Sequence, residues 1–159
     1  MKPLVSIQIL NWNREKETLS AIQSALDQTY SNIEVVVIDN GSTDNSVDSI
    51  KQNYPDIKLI QLDKNYGCPG GRNLGVPHCK GDYIFYLDND GFLHKEAVNN
   101  AVESIQSEPD IGIITGAIYN FSSQKEVDTN CAIKNNIKYY HNAFNGGISS
   151  STLFERSRE

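Results

Sequence analysis

The run Tyr83-Ile84-Phe85-Tyr86-Leu87 sets five β-prone residues in a row without polar alternation and then stops on Asp88-Asn89-Asp90-Gly91. A strand with no polar face must be buried on both sides, which points to the middle of a mostly parallel sheet covered by helices. The carboxylates fall at its C-terminal end. In an extended chain Asp88 and Asp90 point to one side, about 6 to 7 Å apart at the backbone, with Asn89 opposite. Ligands of open α/β sheets sit outside the carboxyl ends of the strands, and two carboxylates there suit a hard divalent cation that keeps waters and bridges to a phosphate. The same four residues are also favoured turn formers, so this stretch alone divides evenly between a plain polar turn and a ligand site.

The rest of the chain repeats the pattern of an apolar strand ending on polar residues. Leu4 to Leu10 reads as a strand with Val5, Ile7 and Ile9 on one face, running into Asn11-Trp12-Asn13-Arg14. Leu19, Ile22 and Leu26 recur at helical spacing and predict an amphipathic helix that stops near Tyr30. Ile33 to Ile38 is a second buried strand, broken by Asp39-Asn40-Gly41-Ser42-Thr43-Asp44, where Ser42 or Thr43 can cap a helix carrying Val47 and Ile50 and ending before Tyr54-Pro55. Ile57 to Leu62 is a third strand. Ala97, Val98, Ala101, Val102 and Ile105 share one face of a helix over Lys95 to Ser107, and Ile111 to Ile118 is the last clear strand. Alternating strands and helices predict one parallel sheet with helices on both faces and right-handed crossovers. Asn11, Asp39, Asp88 and Asp90 then gather on a single sheet edge.

Between the third strand and Tyr83 lies Asp63-Lys64-Asn65-Tyr66-Gly67-Cys68-Pro69-Gly70-Gly71-Arg72-Asn73-Leu74-Gly75. Gly70, Gly71 and Gly75 are too dense for a stable helix interior and predict a loop whose backbone comes close to something. The spacing matches neither the dinucleotide fingerprint nor the Walker A loop. Tyr119 to Lys138 is polar, with weak strand signals around Val127 and Ile137, and the pattern does not place it. Phe144 to Glu155 reads as a loop or short strand leading into a helix at the end of the sequence.

Length and composition suit one domain, and 20 acidic against 14 basic residues, a net charge of −6, argue against general nucleic-acid binding. Cys68, Cys79 and Cys131 show no paired spacing, which suggests neither a disulfide framework nor a zinc site and fits a reducing cytoplasm. No stretch of 18 apolar residues predicts a membrane span, and peripheral attachment at the inner face of a membrane stays open. His94 and His141 are isolated and read as polar surface residues rather than ligands.

Taken in order, these segments resemble the inverting GT-A glycosyltransferases of the family 2 type. The resemblance rests on Pro3-Leu4-Val5-Ser6-Ile7 leading to Asn11 and Arg14, on Ser24-Ala25-Leu26-Asp27-Gln28-Thr29-Tyr30, and on Glu34-Val35-Val36-Val37-Ile38-Asp39 followed by Asn40-Gly41-Ser42-Thr43-Asp44. It continues through Asn65-Tyr66-Gly67, Gly70-Gly71-Arg72-Asn73-Leu74-Gly75 and Gly81-Asp82-Tyr83 to Leu87-Asp88-Asn89-Asp90. It implies a GT-A, Rossmann-like α/β/α sandwich over residues 1–159, short of the family's usual C-terminal part.

By the same resemblance the ligand is a UDP-, dTDP- or GDP-linked sugar and the acceptor a saccharide or lipid-linked molecule. Asp39 would accept a hydrogen bond from the base, with Asn11 and Asn13 beside it. Arg72, next to Gly71, would reach the base or the phosphates. Asp88 would face the ribose, and Asp90, with Asp88 in a DXD motif, would hold Mg²⁺ or Mn²⁺. Gly146 and Gly147 would lie on the acceptor side. The family's general base is an acidic residue beyond this Gly-Gly segment and is expected after Glu159; Glu155 and Glu159 fall where the family has an ordinary helix. A non-catalytic nucleotide-sugar-binding module is the alternative that the missing base motivates. A sugar nucleotidyltransferase has a related sheet, but its glycine-rich start with a following Arg is absent after the first strand.

Overall fold

The computed structural model describes residues 1–107 and 110–116, together with the backbone of the strands Thr129–Lys134, Ile137–Asn142 and Leu153–Arg156. Strands and helices alternate through residue 115: β1 (Val5–Asn11), α1 (Glu15–Leu26), β2 (Ile33–Asp39), α2 (Ser46–Asn53), β3 (Lys58–Gln61), α3 (Gly67–Gly75), β4 (Tyr83–Asp88), α4 (Ala97–Ser107) and β5 (Ile113–Thr115). Three further strands follow, β6 (Thr129–Lys134), β7 (Ile137–Asn142) and β8 (Leu153–Arg156). The main sheet runs β3-β2-β1-β4-β8-β5, with β1 to β4 mutually parallel.

The two faces of this sheet are built differently. Val5, Ile7 and Ile9 of β1, Val35 and Val37 of β2, and Tyr83, Phe85 and Leu87 of β4 turn to one side, where Ala21, Ile22, Ala25, Ile50, Val98, Val102 and Ile105 from α1, α2 and α4 close the core. The other side receives α3. A side chain at Gly71 would come within 2.6 Å of Leu10 Cδ1, and one at Gly75 within 2.6 Å of Ile38 Cγ1 and 2.7 Å of Gln8 Nε2. The glycines therefore serve close approach, as expected, but the approach is to the sheet and the segment is a helix, not a loop. Packing against β1 and β2 overrides the low helix propensity of glycine, which costs about 1 kcal/mol per residue in an isolated helix.

Three other expectations are corrected. The N-cap of α2 is Asn45, without a side-chain cap bond; the first helical N–H, of Ser46, goes to Asp44 Oδ1 at 3.0 Å, while Ser42 and Thr43 are drawn toward Asn11 and Asn13. The last clear strand is only Ile113–Thr115. Of the loop or short strand expected over Phe144 to Glu155, Leu153–Arg156 is the strand, and it continues past the point where a helix was to begin: β8 inserts antiparallel between β4 and β5, pairing Phe85 with Phe154 and Ile114 with Phe154. Glu155 thus sits in the sheet, opposite Ile84. Ile137 opens β7, which pairs antiparallel with β6, whereas Val127, Gly146 and Gly147 lie outside the described residues.

Candidate functional site

Parallel pairing brings the strand ends together. Asn11 stands opposite Asp39, and Leu10 stands opposite Asp88, so β2, β1 and β4 deliver their last residues side by side. Asn11 is fully buried and Asp39 is 2% exposed. The Asp39 carboxylate accepts the Asn11 amide at 2.8 Å and the Ser42 backbone N–H at 3.0 Å. Asn11 Nδ2 also reaches Ser42 Oγ at 3.1 Å, and its Oδ1 accepts the Thr18 hydroxyl at 2.6 Å. An ionised carboxylate only accepts, so it must face the amide nitrogen of Asn11; this turns the Asn11 oxygen to Thr18 and obliges Thr18 to donate. The Thr18 lone pairs are thereby left for Asn89, whose Nδ2 lies 3.3 Å away. One directed chain runs from the DXD motif to Asp39.

Asn13 adopts a left-handed conformation, with φ of 52°, that aims its Oδ1 at the backbone N–H groups of Thr43 and Asp44 at 2.7 and 3.3 Å. It clamps the β1–α1 loop to the β2–α2 loop. Asn40, the next residue after Asp39, points to the opposite face. Its side chain accepts the Tyr66 N–H at 2.9 Å and donates to the Gly67 carbonyl at 3.2 Å, which fixes the start of α3.

At the end of β4 the chain does not stay extended through Asp90. The strand ends at Asp88, and the Gly91 N–H returns to the Asp88 carbonyl at 3.0 Å, closing a turn with Asn89 and Asp90 at its corners. The structure shows the turn, and the turn carries both carboxylates. Asp88 is paired with the Arg72 guanidinium, which also lies 5.2 Å from the centre of the Tyr86 ring. Tyr86 and Asp88 are two residues apart on β4 and so share the face on which α3 packs. Arg72 Nη1 is buried without a hydrogen-bond partner among the described residues. Asp90 pairs with Arg14 at 3.2 Å. Burial pushes its carboxyl above the usual range, Arg14 opposes this, and Asp88 and Glu17 add to it.

The structure thus brings Asn11, Asn13, Asp39, Arg72, Asp88 and Asp90 to one edge, with Gly71 behind them against Leu10. Sequence reasoning missed Thr18 and Asn89 as the link, Ser42 as the second anchor of Asn11, and Arg14 as the partner of Asp90. Arg14 was visible as part of the polar end of β1; Thr18 carries no signal, because a hydroxyl inside a helix is usually unremarkable.

Two carboxylates in one turn, one of them disfavoured in its charged form by burial and by the other, form an oxygen pair that a divalent cation would stabilise. Among the described residues no third His, Cys, Asp or Glu completes a metal cluster. A cation held there would have to complete its shell with water and ligand oxygens, as Mg²⁺ and Mn²⁺ do beside phosphates.

This α/β sheet with a polar edge over its central parallel strands is the GT-A fold. It matches the structure of the mannosyltransferase PcManGT from Pyrobaculum calidifontis, in complex with GDP-Man and Mn²⁺, with a TM-score of 0.66 at 21% identity over 75% of this chain and 36% of that one. It matches S. aureus TarS residues 1–349, in complex with UDP-GlcNAc, with a TM-score of 0.60 at 29% identity over 65% of this chain and 31% of that one. The chain belongs to glycosyl transferase family 2, whose sequence profile matches residues 6–153. Among its relatives is the Escherichia coli UDP-Glc:alpha-D-GlcNAc-diphosphoundecaprenol beta-1,3-glucosyltransferase WfaP, 36% identical over 66% of this chain and 42% of that protein. The chain spans less than half the length of these proteins. Among the described residues no helix is long and apolar enough to cross a membrane.

Proposed function

We propose that the chain is the donor-binding part of a glycosyltransferase that takes a sugar from a nucleotide-diphosphate sugar, with a divalent cation, and passes it with inversion to a saccharide or lipid-linked acceptor. The observation that carries this reading is the single network joining Asp39, Asn11, Thr18 and the Asp88–Asp90 turn at the sheet edge where α/β folds take ligands. The names of WfaP and of the TarS complex support a UDP-linked donor.

Asp39, held in place by Asn11 and Ser42, keeps lone pairs free to accept from a base N–H, and Asn13 fixes the loop beside it. Arg72 offers its unpartnered Nη1 to a base or phosphate oxygen, which relieves a buried donor that otherwise costs about 1 to 3 kcal/mol. Asp88 faces the ribose, and Asp90 with Asp88 holds Mg²⁺ or Mn²⁺. The cation supplies Lewis-acid neutralisation of the charge that grows on the departing diphosphate.

Calorimetric titration with UDP, with and without Mn²⁺, tests the reading on the wild-type chain and on Asp90→Ala. Binding that requires Mn²⁺ and disappears in Asp90→Ala is the expected result. Unchanged metal-dependent binding in the variant overturns the metal assignment; failure of UDP, GDP and dTDP alike in the wild type overturns the donor site.

A further inference from the structure

The segment Ser24-Ala25-Leu26-Asp27-Gln28-Thr29 lies at the end of α1, away from the nucleotide residues, and has no part in the site just described. Beside local bonds, such as Ser24 Oγ to the Ala21 carbonyl at 2.8 Å and Gln28 Nε2 to the Ser24 carbonyl at 3.0 Å, it makes five hydrogen bonds to the stretch 93–98. Ser24 Oγ accepts the Leu93 N–H at 3.1 Å. Gln28 uses both ends of its amide: Nε2 donates to the His94 carbonyl at 3.0 Å, and Oε1 accepts the Val98 N–H, in the first turn of α4, at 3.1 Å. Thr29 donates to the Lys95 carbonyl twice, from its backbone N–H at 2.8 Å and from its hydroxyl at 3.1 Å.

These five bonds hold four backbone groups within 93–98, the stretch that leaves the Asp88–Gly91 turn. The turn has two legs. One is β4, fixed by its neighbours in the sheet. The other leaves Gly91 and meets only a short run of chain before it reaches this bracket. A turn residue keeps its position when both legs are anchored, and Asp90 lies at the corner between them.

We propose that Ser24, Gln28 and Thr29 are positioning residues for Asp90: they bracket the outgoing leg of the turn and so set where its carboxylate stands for a cation. The inference rests on the donor-site reading for its functional consequence, and on hydrogen bonds alone for its structural one. Gln28 is central, because it ties the leg and caps α4 with the same side chain. Gln28→Leu removes both bonds to this leg, and with them the Nε2 bond to the Ser24 carbonyl, while keeping the bulk.

Amide exchange and nucleotide titration together test it on Gln28→Leu and on Ser24→Ala, the milder change. Loss of the Gln28 bonds is expected to speed exchange at Gly91 and Val98 about tenfold while the amides of β1 and β2 keep their wild-type protection. Mn²⁺-dependent UDP binding is expected to weaken about tenfold with metal-free UDP binding unchanged, a split that general loosening of the fold does not give. Ser24→Ala is expected to shift both readouts in the same sense, about threefold. Wild-type exchange at Gly91 in both variants overturns the bracket, as does equal weakening of binding with and without metal. If the wild-type chain binds no nucleotide, the donor reading fails, and the exchange at Gly91 still decides the bracket.

Discussion

The two ends of the site hold their carboxylates in opposite ways. Asp39 is buried and satisfied: two donors from its own chain fix it before any ligand arrives. Asp90 stands at a partly exposed corner, opposed by burial and by Asp88, and balanced by an arginine that is itself half exposed. One end is buried within the fold, and the other is held at its surface by an ion pair. A buried acceptor that organises its donors stabilises the chain, whereas a carboxylate that is partly desolvated and near another carboxylate is disfavoured in its charged form.

The contrast is broken most directly at Asp39. Asp39→Ala leaves the buried Asn11 amide and the Ser42 N–H without their acceptor, and urea unfolding is expected to register a loss of about 3 kcal/mol. A loss below about 1 kcal/mol would mean that the Asn11 end is not structural. Thr18→Val probes the link between the ends. It exchanges a donating hydroxyl for a methyl of the same size and strands Asn11 Oδ1 and Asn89 Nδ2, at an expected cost of about 1 to 2 kcal/mol in the same assay.

Asp90→Asn is the smallest change and sharpens the comparison through its sign. Because the folded carboxyl titrates above the usual range, its favourable contribution is present in acid, where it is protonated, and is lost as pH rises through its folded value. Asn cannot ionise. Unfolding midpoints compared at about pH 3 and about pH 7 are expected to agree in acid, with the variant equal or more stable, by less than about 1 kcal/mol, near neutrality. A variant clearly less stable at neutral pH would place Asp90 with Asp39 as a structural residue.

The strand ends were legible because each apolar run stops on its polar residue without a transition, so Asn11, Asp39 and Asp88 could be aligned on one edge from local pattern alone. What lay between the strands was less so. The Gly70-Gly71-Arg72 stretch has the composition of a loop, and its helix exists because Leu10, Ile38 and Gln8 leave room only for a backbone without side chains. That is a tertiary fact with no local signature. Ser42 and Thr43 look like caps by residue type, yet Ser42 serves Asn11, 31 positions away, and it is Asp44 that accepts the first N–H of α2. Phe144 to Glu155 reads as a loop or short strand leading into a helix, and where Leu153–Arg156 runs as a strand is set by its pairing with both β4 and β5.

That pairing has a consequence for the order in which the chain acquires its shape. Every pairing among β1, β2, β3 and β4 is complete once residue 88 has been made, and the connections are helical crossovers that close locally. β5 has no such route: its neighbour in the sheet is β8, synthesised some forty residues later. During translation the parallel half can assemble on its own while Ile113–Thr115 waits, and the arrival of a strand running the other way seals both β4 and β5 in a single step.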